Sequence, residues 1–349
     1  MLRRNIGYAE TGSYAGIFTQ FDVDSRTRLG SWQLPGIAPS LFAFTSYTFL
    51  PIVSAGSTTG PTLNQMQSAY AGTPWISSYF TLGTYQGYQR WTVPQTTNYT
   101  IQASGARGGD GTAVYNTSIT TLSYGALITG TFALTMGNVL EMVIGVNGGS
   151  SGGPHGNENG GGGGTFVYNV TTNTLLLVAG GAGGLPSNTY GTSCTRNVSI
   201  GRGQSGNAGG NSSGCYTTVS SPSNGYGGNS AGSYQGAAGG GYLSAGQNGG
   251  THFSQAIGGG AYNNGLVGGA GNSGYNTNNA GGFGGGGGGM LGSPGCGGGY
   301  TGGSGTGAWS SYSDYGGGGG SYNVGSSVTN TAGGNTAGSG MGFCTITKL

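Results

Sequence analysis

Few side chains here have the chemistry for catalysis. His155 and His252 are the two histidines of the 349-residue chain, and neither stands at metal-ligand spacing from a cysteine or an acid. The stretch PHGNEN (154–159) brings His155 near Glu158, but a lone loop pair reads as a solvated turn, not an acid–base pair. Asp22 and Asp24 come closest to paired carboxylates, in the atypical stretch FTQFDVDSRTRLGSWQ. The pattern GxGxxG recurs as a product of composition. None of its copies precedes a lysine-serine pair or a helical pattern, which a phosphate-cradling loop requires. No catalytic residue, no cofactor site and no metal site is expected, and the chain does not read as an enzyme.

Surface chemistry remains. Tyr190, Tyr216, Tyr226, Tyr275, Trp309 and Tyr312 lie in inserts between glycine runs, as do Tyr234 and Tyr315. Tyrosine beside serine, glycine and asparagine is the composition of antibody binding loops, with rigid aromatic area and adaptable hydrogen bonding. The first six are therefore the candidate receptor-binding residues. Packing of the same rings along bare glycine backbone is the competing reading.

These inserts need a scaffold, and the composition is unusual for one. Of the residues 86 are glycine and only 5% are charged, with a net charge of +2 and 22 tyrosines. Disordered chains usually combine low hydrophobicity with high net charge, and flexible linkers lack the Tyr, Asn and Val seen here. Past Glu158 the only charged residues are Arg196, Arg202, Asp314 and Lys348, so no basic patch exists to displace counterions from nucleic acid. The most apolar run, LFAFTSYTFLPIV (41–53), is too short and too rich in hydroxyls to span a bilayer. MLRRNIGYAETGSYAG has no apolar signal-peptide core. Synthesis in a cytosol without export follows as the expectation. The four cysteines read as buried free thiols, with Cys194 and Cys215, which flank one loop, as the pair an oxidising exterior would join.

Three regions are expected. Residues 1–45 hold two arginine pairs and several acids, and read as an anchor or assembly region. Residues 46–180 carry YTFLPIV, YQRWTVP, NYTIQAS, TFALTM, VLEMVIGV, GTFVYNV and TLLLVAG. These are rich in Val, Ile, Thr, Tyr and Phe and are punctuated by Gly, Asn and Pro, as short antiparallel strands require. Asn173-Thr174 suits a hairpin turn. Residues 181–349 are glycine-rich and close on MGFCTITKL, a strand-like end that returns to the sheet. A chain that leaves a sandwich and comes back implies that the glycine segment between is folded. Extended three-residue-per-turn helices make no internal hydrogen bonds. Where glycine dominates, they approach closely and bond side by side. The expected fold is all-β: an antiparallel β-sandwich with a projecting bundle of polyglycine-II helices and almost no α-helix.

The stretches YTFLPIVSAGSTTGPTLNQMQSAY (47–70), YQRWTVPQTTNYTIQASGARGGDG (88–111), GGGGTFVYNV, TLLLVAGGAGG and GGFGGGGGG follow one another in a familiar order. The chain from about residue 46 onward resembles the glycine-rich extracellular domain of the anaplastic lymphoma kinase and leukocyte tyrosine kinase receptors. That resemblance implies a jelly-roll-like sandwich from which polyglycine helices project. The module is also similar to glycine-rich proteins of tailed bacteriophages, which end in strands like GFCTITKL (342–349). The bundle resembles that of the long-tail-fibre adhesins of T-even-type phages, where loops between glycine motifs contact the host receptor. What this implies is a non-enzymatic virion surface protein, a fibre or adhesin component made in the host cytoplasm. Its expected partners are other virion proteins, reached through the N-terminal region, and a host surface glycan or outer-membrane component. A homo-oligomer is compatible with this, while nucleic acid and membrane insertion are not expected. A structural capsid or tail decoration protein and an extracellular ligand-binding module are the alternatives.

Overall fold

A computed structural model describes residues 44–73, 75–110, 122–150, 159–186, 197–213, 218–230, 235–251, 254–272, 279–290, 293–305 and 315–349. They belong to one compact unit, Phe42–Leu349. Nearly all of the expected anchor region lies outside the described residues, as do His155, Glu158, His252, Cys194 and Cys215.

The elements run β1 (Ser46–Phe49), α1 (Leu63–Ala69), α2 (Ile76–Tyr79), β2 (Phe80–Leu82), β3 (Gln89–Thr92), β4 (Thr97–Ser104), β5 (Leu127–Leu134) and β6 (Val139–Val143). Then follow β7 (Thr165–Asn169), β8 (Thr174–Ala179), α3 (Val198–Gly201), β9 (Ser212–Ser213), β10 (Thr218–Val219), β11 (Tyr322–Asn323), β12 (Ser326–Thr331) and β13 (Phe343–Lys348). The fold is all-β. One antiparallel sheet has the order β1-β13-β4-β5-β12, the other β11-β8-β7-β6-β3-β2, and β9 pairs with β10 apart from both. Period-two alternation fills the space between the sheets. In β4, Tyr99, Ile101 and Ala103 are buried while Asn98, Thr100 and Gln102 face outward. They meet Phe49, Trp91, Ile128, Leu140, Met142, Leu177, Cys344 and Ile346 in one core. Asn173 takes φ 54° in the β7–β8 hairpin, the left-handed conformation that asparagine tolerates.

The helix α1 has a local cause that the strand-oriented reading passed over. Thr62 and Gln65 form a capping box, with the Thr62 amide donating to Gln65 Oε1 at 2.8 Å and the Gln65 amide to Thr62 Oγ1 at 3.4 Å. Met66 is its buried residue.

Glycine-rich backbone continues from the strand ends of the sandwich. β4 runs into 105–110, β6 into 144–150 and β8 into 180–186, while 159–164 leads into β7. The bundle thus draws on segments from both halves of the chain. Its hydrogen bonding has a three-residue period. Gly160, Gly161, Gly162, Gly163 and Gly164 donate in turn to Gly149, Gly287, Ala182, Val146 and Gly284, so the fourth and fifth bonds return to the neighbours of the first and second. The same segment accepts from Gly295, Gly109, Gly282, Gly298 and Ala106. One central strand of chain is thereby surrounded on all sides, as a three-fold extended helix permits. Segment 295–300 repeats the pattern, donating alternately to 159–162, 237–240 and 317–320. At these glycines the separation leaves no room for a side chain: a Cβ on Gly161 would land on the Cys296 carbonyl oxygen, and one on Gly163 on that of Phe283. Gly284 and Gly285, at φ 104° and 83°, turn the chain after Phe283 in a conformation open to glycine.

Cys296 and Cys344 are buried free thiols. Burial pushes each up to about 12 from an ordinary 9.0. No helix among the described residues is long and apolar enough to cross a membrane.

Candidate functional site

The second sheet is buried on both faces. Away from the main core, Tyr88, Val143, Phe166 and Val178 pack with Leu266 and Phe283 from the glycine region. Where this second core reaches the surface it becomes a row of tyrosines. Tyr168 comes from β7, Tyr322 from β11, and Tyr242, Tyr262 and Tyr300 from the ends of glycine segments. Tyr300 and Tyr322 stack at 4.6 Å between ring centroids and 25° between planes. Tyr242 lies 6.3 Å from Tyr300 at 22°, and Tyr262 lies 5.3 Å from Tyr242 and 5.6 Å from Tyr168. All five rings are half-buried.

Backbone bonds set this convergence. Tyr300 donates to the Gly320 carbonyl at 2.8 Å, Tyr242 to the Tyr300 carbonyl at 2.9 Å, and Tyr262 to the Gly241 carbonyl at 3.2 Å. The bundle's own register therefore delivers the rings to one place.

At one end the Tyr300 ring comes close to Gly225, the residue before Tyr226, which is 53% exposed. Tyr226 follows a tight turn in which Asn224 and Gly225 take φ 60° and 93°. Leu243 donates its amide to the Gly225 carbonyl at 2.7 Å and is itself exposed. A Cβ on Gly225 would lie 3.2 Å from Leu243 Cγ and 3.5 Å from Tyr300 Cε2. Tyr226, Leu243 and Tyr300 are thus gathered around one glycine.

Beneath the row sits Glu141, buried on β6. Tyr262 donates its hydroxyl to Oε1 at 2.8 Å, and Arg90 its Nε to Oε2 at 2.7 Å. The Tyr88 hydroxyl donates to the Tyr262 carbonyl. Burial first, and the Glu141 charge second, push the Tyr88 and Tyr262 phenols far above their ordinary range. Burial also raises Tyr242 and Tyr300. The surface is consequently a neutral one, offering π-faces and hydroxyl donors. The Glu141 carboxylate is engaged by Tyr262 and Arg90 and is not a free base. Among the described residues, no group of three His, Cys, Asp or Glu could hold a metal ion.

Of the residues expected to bind a receptor, Tyr226 is the one the structure describes, exposed at the edge of this surface. Tyr190, Tyr216, Tyr275, Trp309 and Tyr312 lie outside the described residues, as does Tyr234. Tyr315 is buried in the bundle instead of presented by an insert; its Cβ closes the space beside Gly201. The sequence reading missed Tyr242, Tyr262, Tyr300 and Tyr322. A signal for them exists: each ends a G-G-x-Y motif, in GGGY (239–242), GGAY (259–262), GGGY (297–300) and GGSY (319–322).

No family model matches the chain. Over 94 residues it is 31% identical to the leukocyte tyrosine kinase receptor of Mus musculus. The chain is similar to part of that receptor. The matched stretch is 27% of this chain and 10% of the receptor, so the chain spans about a tenth of the length of the curated relative it matches.

Proposed function

We propose that this protein is a non-enzymatic recognition protein of a tailed-phage virion, in which a rigid glycine bundle presents aromatic side chains to a glycan of the host surface. One observation carries the recognition reading: four G-G-x-Y tyrosines, with Tyr226 and Leu243 beside them, converge on a single neutral, partly exposed surface. Tyrosine is one of the residues on which binding energy concentrates. Uncharged π-faces suit the apolar faces of sugar rings. The virion setting, and attachment through residues 1–45, rest on the resemblance to phage glycine-rich proteins and on the composition of that region. The partial match to a receptor supports a binding role in general.

The half-burial of Tyr300 and Tyr322, stacked on each other, favours a second reading in which these rings only pack, as in a structural decoration protein. Binding of the purified protein to host cells and to arrayed neutral glycans separates the two. Tyr226→Ala should weaken binding about tenfold or more with an unchanged melting temperature. Tyr300→Ala should lower binding and melting temperature together. If wild-type protein binds neither cells nor glycans, the decoration reading replaces recognition.

A further inference from the structure

The closest pair of tyrosine rings among the described residues joins the bundle to the second sheet. Tyr300 and Tyr322 stand 4.6 Å apart between centroids, at 25° between planes. Every other described tyrosine pair in ring contact is separated by 5.3 Å or more. Backbone holds the two in place. The Tyr300 amide donates to the Gly320 carbonyl at 2.8 Å, and the Gly320 amide to the Thr301 carbonyl at 2.7 Å. Tyr322 itself opposes Val178 in the β11–β8 ladder. One ring thus belongs to the bundle and the other to the sandwich.

Their phenols are also the uncommitted ones of the row. Tyr262 donates its hydroxyl to Glu141, and Tyr168 to Asn173 Oδ1 at 2.5 Å. Tyr88 donates to the Tyr262 carbonyl and is 1% exposed. The Tyr300 and Tyr322 hydroxyls take no protein partner among the described residues, and both rings are half-buried, so each keeps access to solvent. Burial first, and the Tyr322 phenol second, push Tyr300 above its ordinary range, as a neighbouring hydroxyl does.

A tyrosine that loses one electron and its phenolic proton becomes a phenoxyl radical, with unpaired spin on the ring carbons beside the oxygen. Two such radicals in contact form a carbon–carbon bond through those positions. The ring hydrogens displaced there move to the oxygens and restore both phenols. The pair has then given up two electrons and two protons. Hydrogen peroxide, reduced through a haem peroxidase, takes them and leaves as two waters. Rings already side by side couple faster than rings that must meet by diffusion.

We infer that Tyr300 and Tyr322 form an oxidative coupling site, where a peroxide-driven one-electron oxidant joins them as dityrosine and staples the bundle to β11. The link closes the chain between residues 300 and 322, and a cross-link that restricts the unfolded chain stabilises the folded one. The inference is independent of glycan recognition, because it needs only the geometry of the pair.

The test exposes the full chain, too dilute for coupling between molecules to compete, to hydrogen peroxide and a haem peroxidase. Intact mass, dityrosine fluorescence and mass-spectrometric mapping of linked peptides are read. A coupled monomer lighter by two hydrogen atoms is expected, with its link at Tyr300 and Tyr322, and it should melt above the untreated protein. Tyr300→Phe and Tyr322→Phe keep the stacked ring but form no phenoxyl radical, and each should cut the yield of coupled monomer about tenfold or more. Tyr226→Phe, at the exposed end of the surface, should leave that yield unchanged. Full yield in either of the first two variants, or a link mapped to another pair, would overturn the inference. So would the absence of coupled monomer while free N-acetyltyrosine couples in the same tube. A coupled monomer that melts no higher than the untreated chain would overturn the staple.

Discussion

The sandwich and the bundle are joined through continuous backbone, yet they are held by opposite parts of the chain. Between the sheets, side chains do the work: Trp91, Tyr99, Ile101 and Met142 are buried, and the backbone supplies only the ladders. In the bundle the backbone is both scaffold and glue: a Cβ is shut out at the glycines, and only small side chains such as those of Ala182, Ala237 and Cys296 are buried between them. A methyl group consequently has opposite meanings in the two regions. In the sandwich core it is an asset whose loss leaves a hole. At a packed glycine of the bundle, such as Gly161, it is an intruder that lands on the carbonyl of a neighbouring segment.

Adding a branched side chain to the centre of the bundle should do the most damage. Gly161→Val is expected to cost about 3 kcal/mol or more and to yield little folded protein. Gly338→Ala, where a Cβ meets nothing within 4 Å, should melt with the wild type. Thermal denaturation of the pair, read by circular dichroism, is the measurement; equal tolerance would mean that the bundle is not close-packed. The converse change in the sandwich should be milder. Ile101→Val, which removes one methylene from a fully buried site, is expected to cost about 1 kcal/mol. A larger loss there than at Gly161 would reverse the comparison.

Alkali should act on both regions. The Cys296 and Cys344 thiols titrate near 12 when folded and near 9.0 when unfolded. Above pH 9 the unfolded chain therefore releases protons that the native state keeps, and stability falls as pH rises. Tyr70, Tyr88 and Tyr262, raised from an ordinary 10.0, add to the decline above pH 10. The melting temperature should hold up to about pH 8.5 and drop steadily beyond it. Cys344→Ala should make the early part of the drop shallower. The smallest effect belongs to the exposed edge of the tyrosine row: Tyr226→Ala should shift stability by less than about 0.5 kcal/mol. A larger shift would place Tyr226 with the packing residues.

The strands were readable because their signal is local. Each of the seven apolar segments between Tyr47 and Gly180 contains a strand, since Val, Ile, Thr and aromatic residues in alternation suit a half-buried pleated surface. The helix α1 was also locally written, in the Thr62–Gln65 box, but it was masked by the β character of its surroundings. Sheet order was not readable. The position of β13 between β1 and β4 depends on pairing Thr345 with Thr48 and Gln102, and no residue of MGFCTITKL names those partners. The site was half readable. The inserts advertised Tyr226 by composition, whereas the G-G-x-Y tyrosines gain their meaning only when the three-residue register carries four distant segments to one edge.

The place of β13 has a consequence for how the protein is made. Its sheet stays divided until residue 348 has been synthesised, because among the described residues β1 pairs only with β13, and β13 also covers one edge of β4. Segment 159–164 likewise waits for chain as far as Gly298. Contacts that span so much sequence fold slowly and leave strand edges open meanwhile. A ribosome carrying the first 300 residues thus carries an unfinished molecule, and a premature stop before Phe343 would release two open-edged strands and not a shortened but working protein.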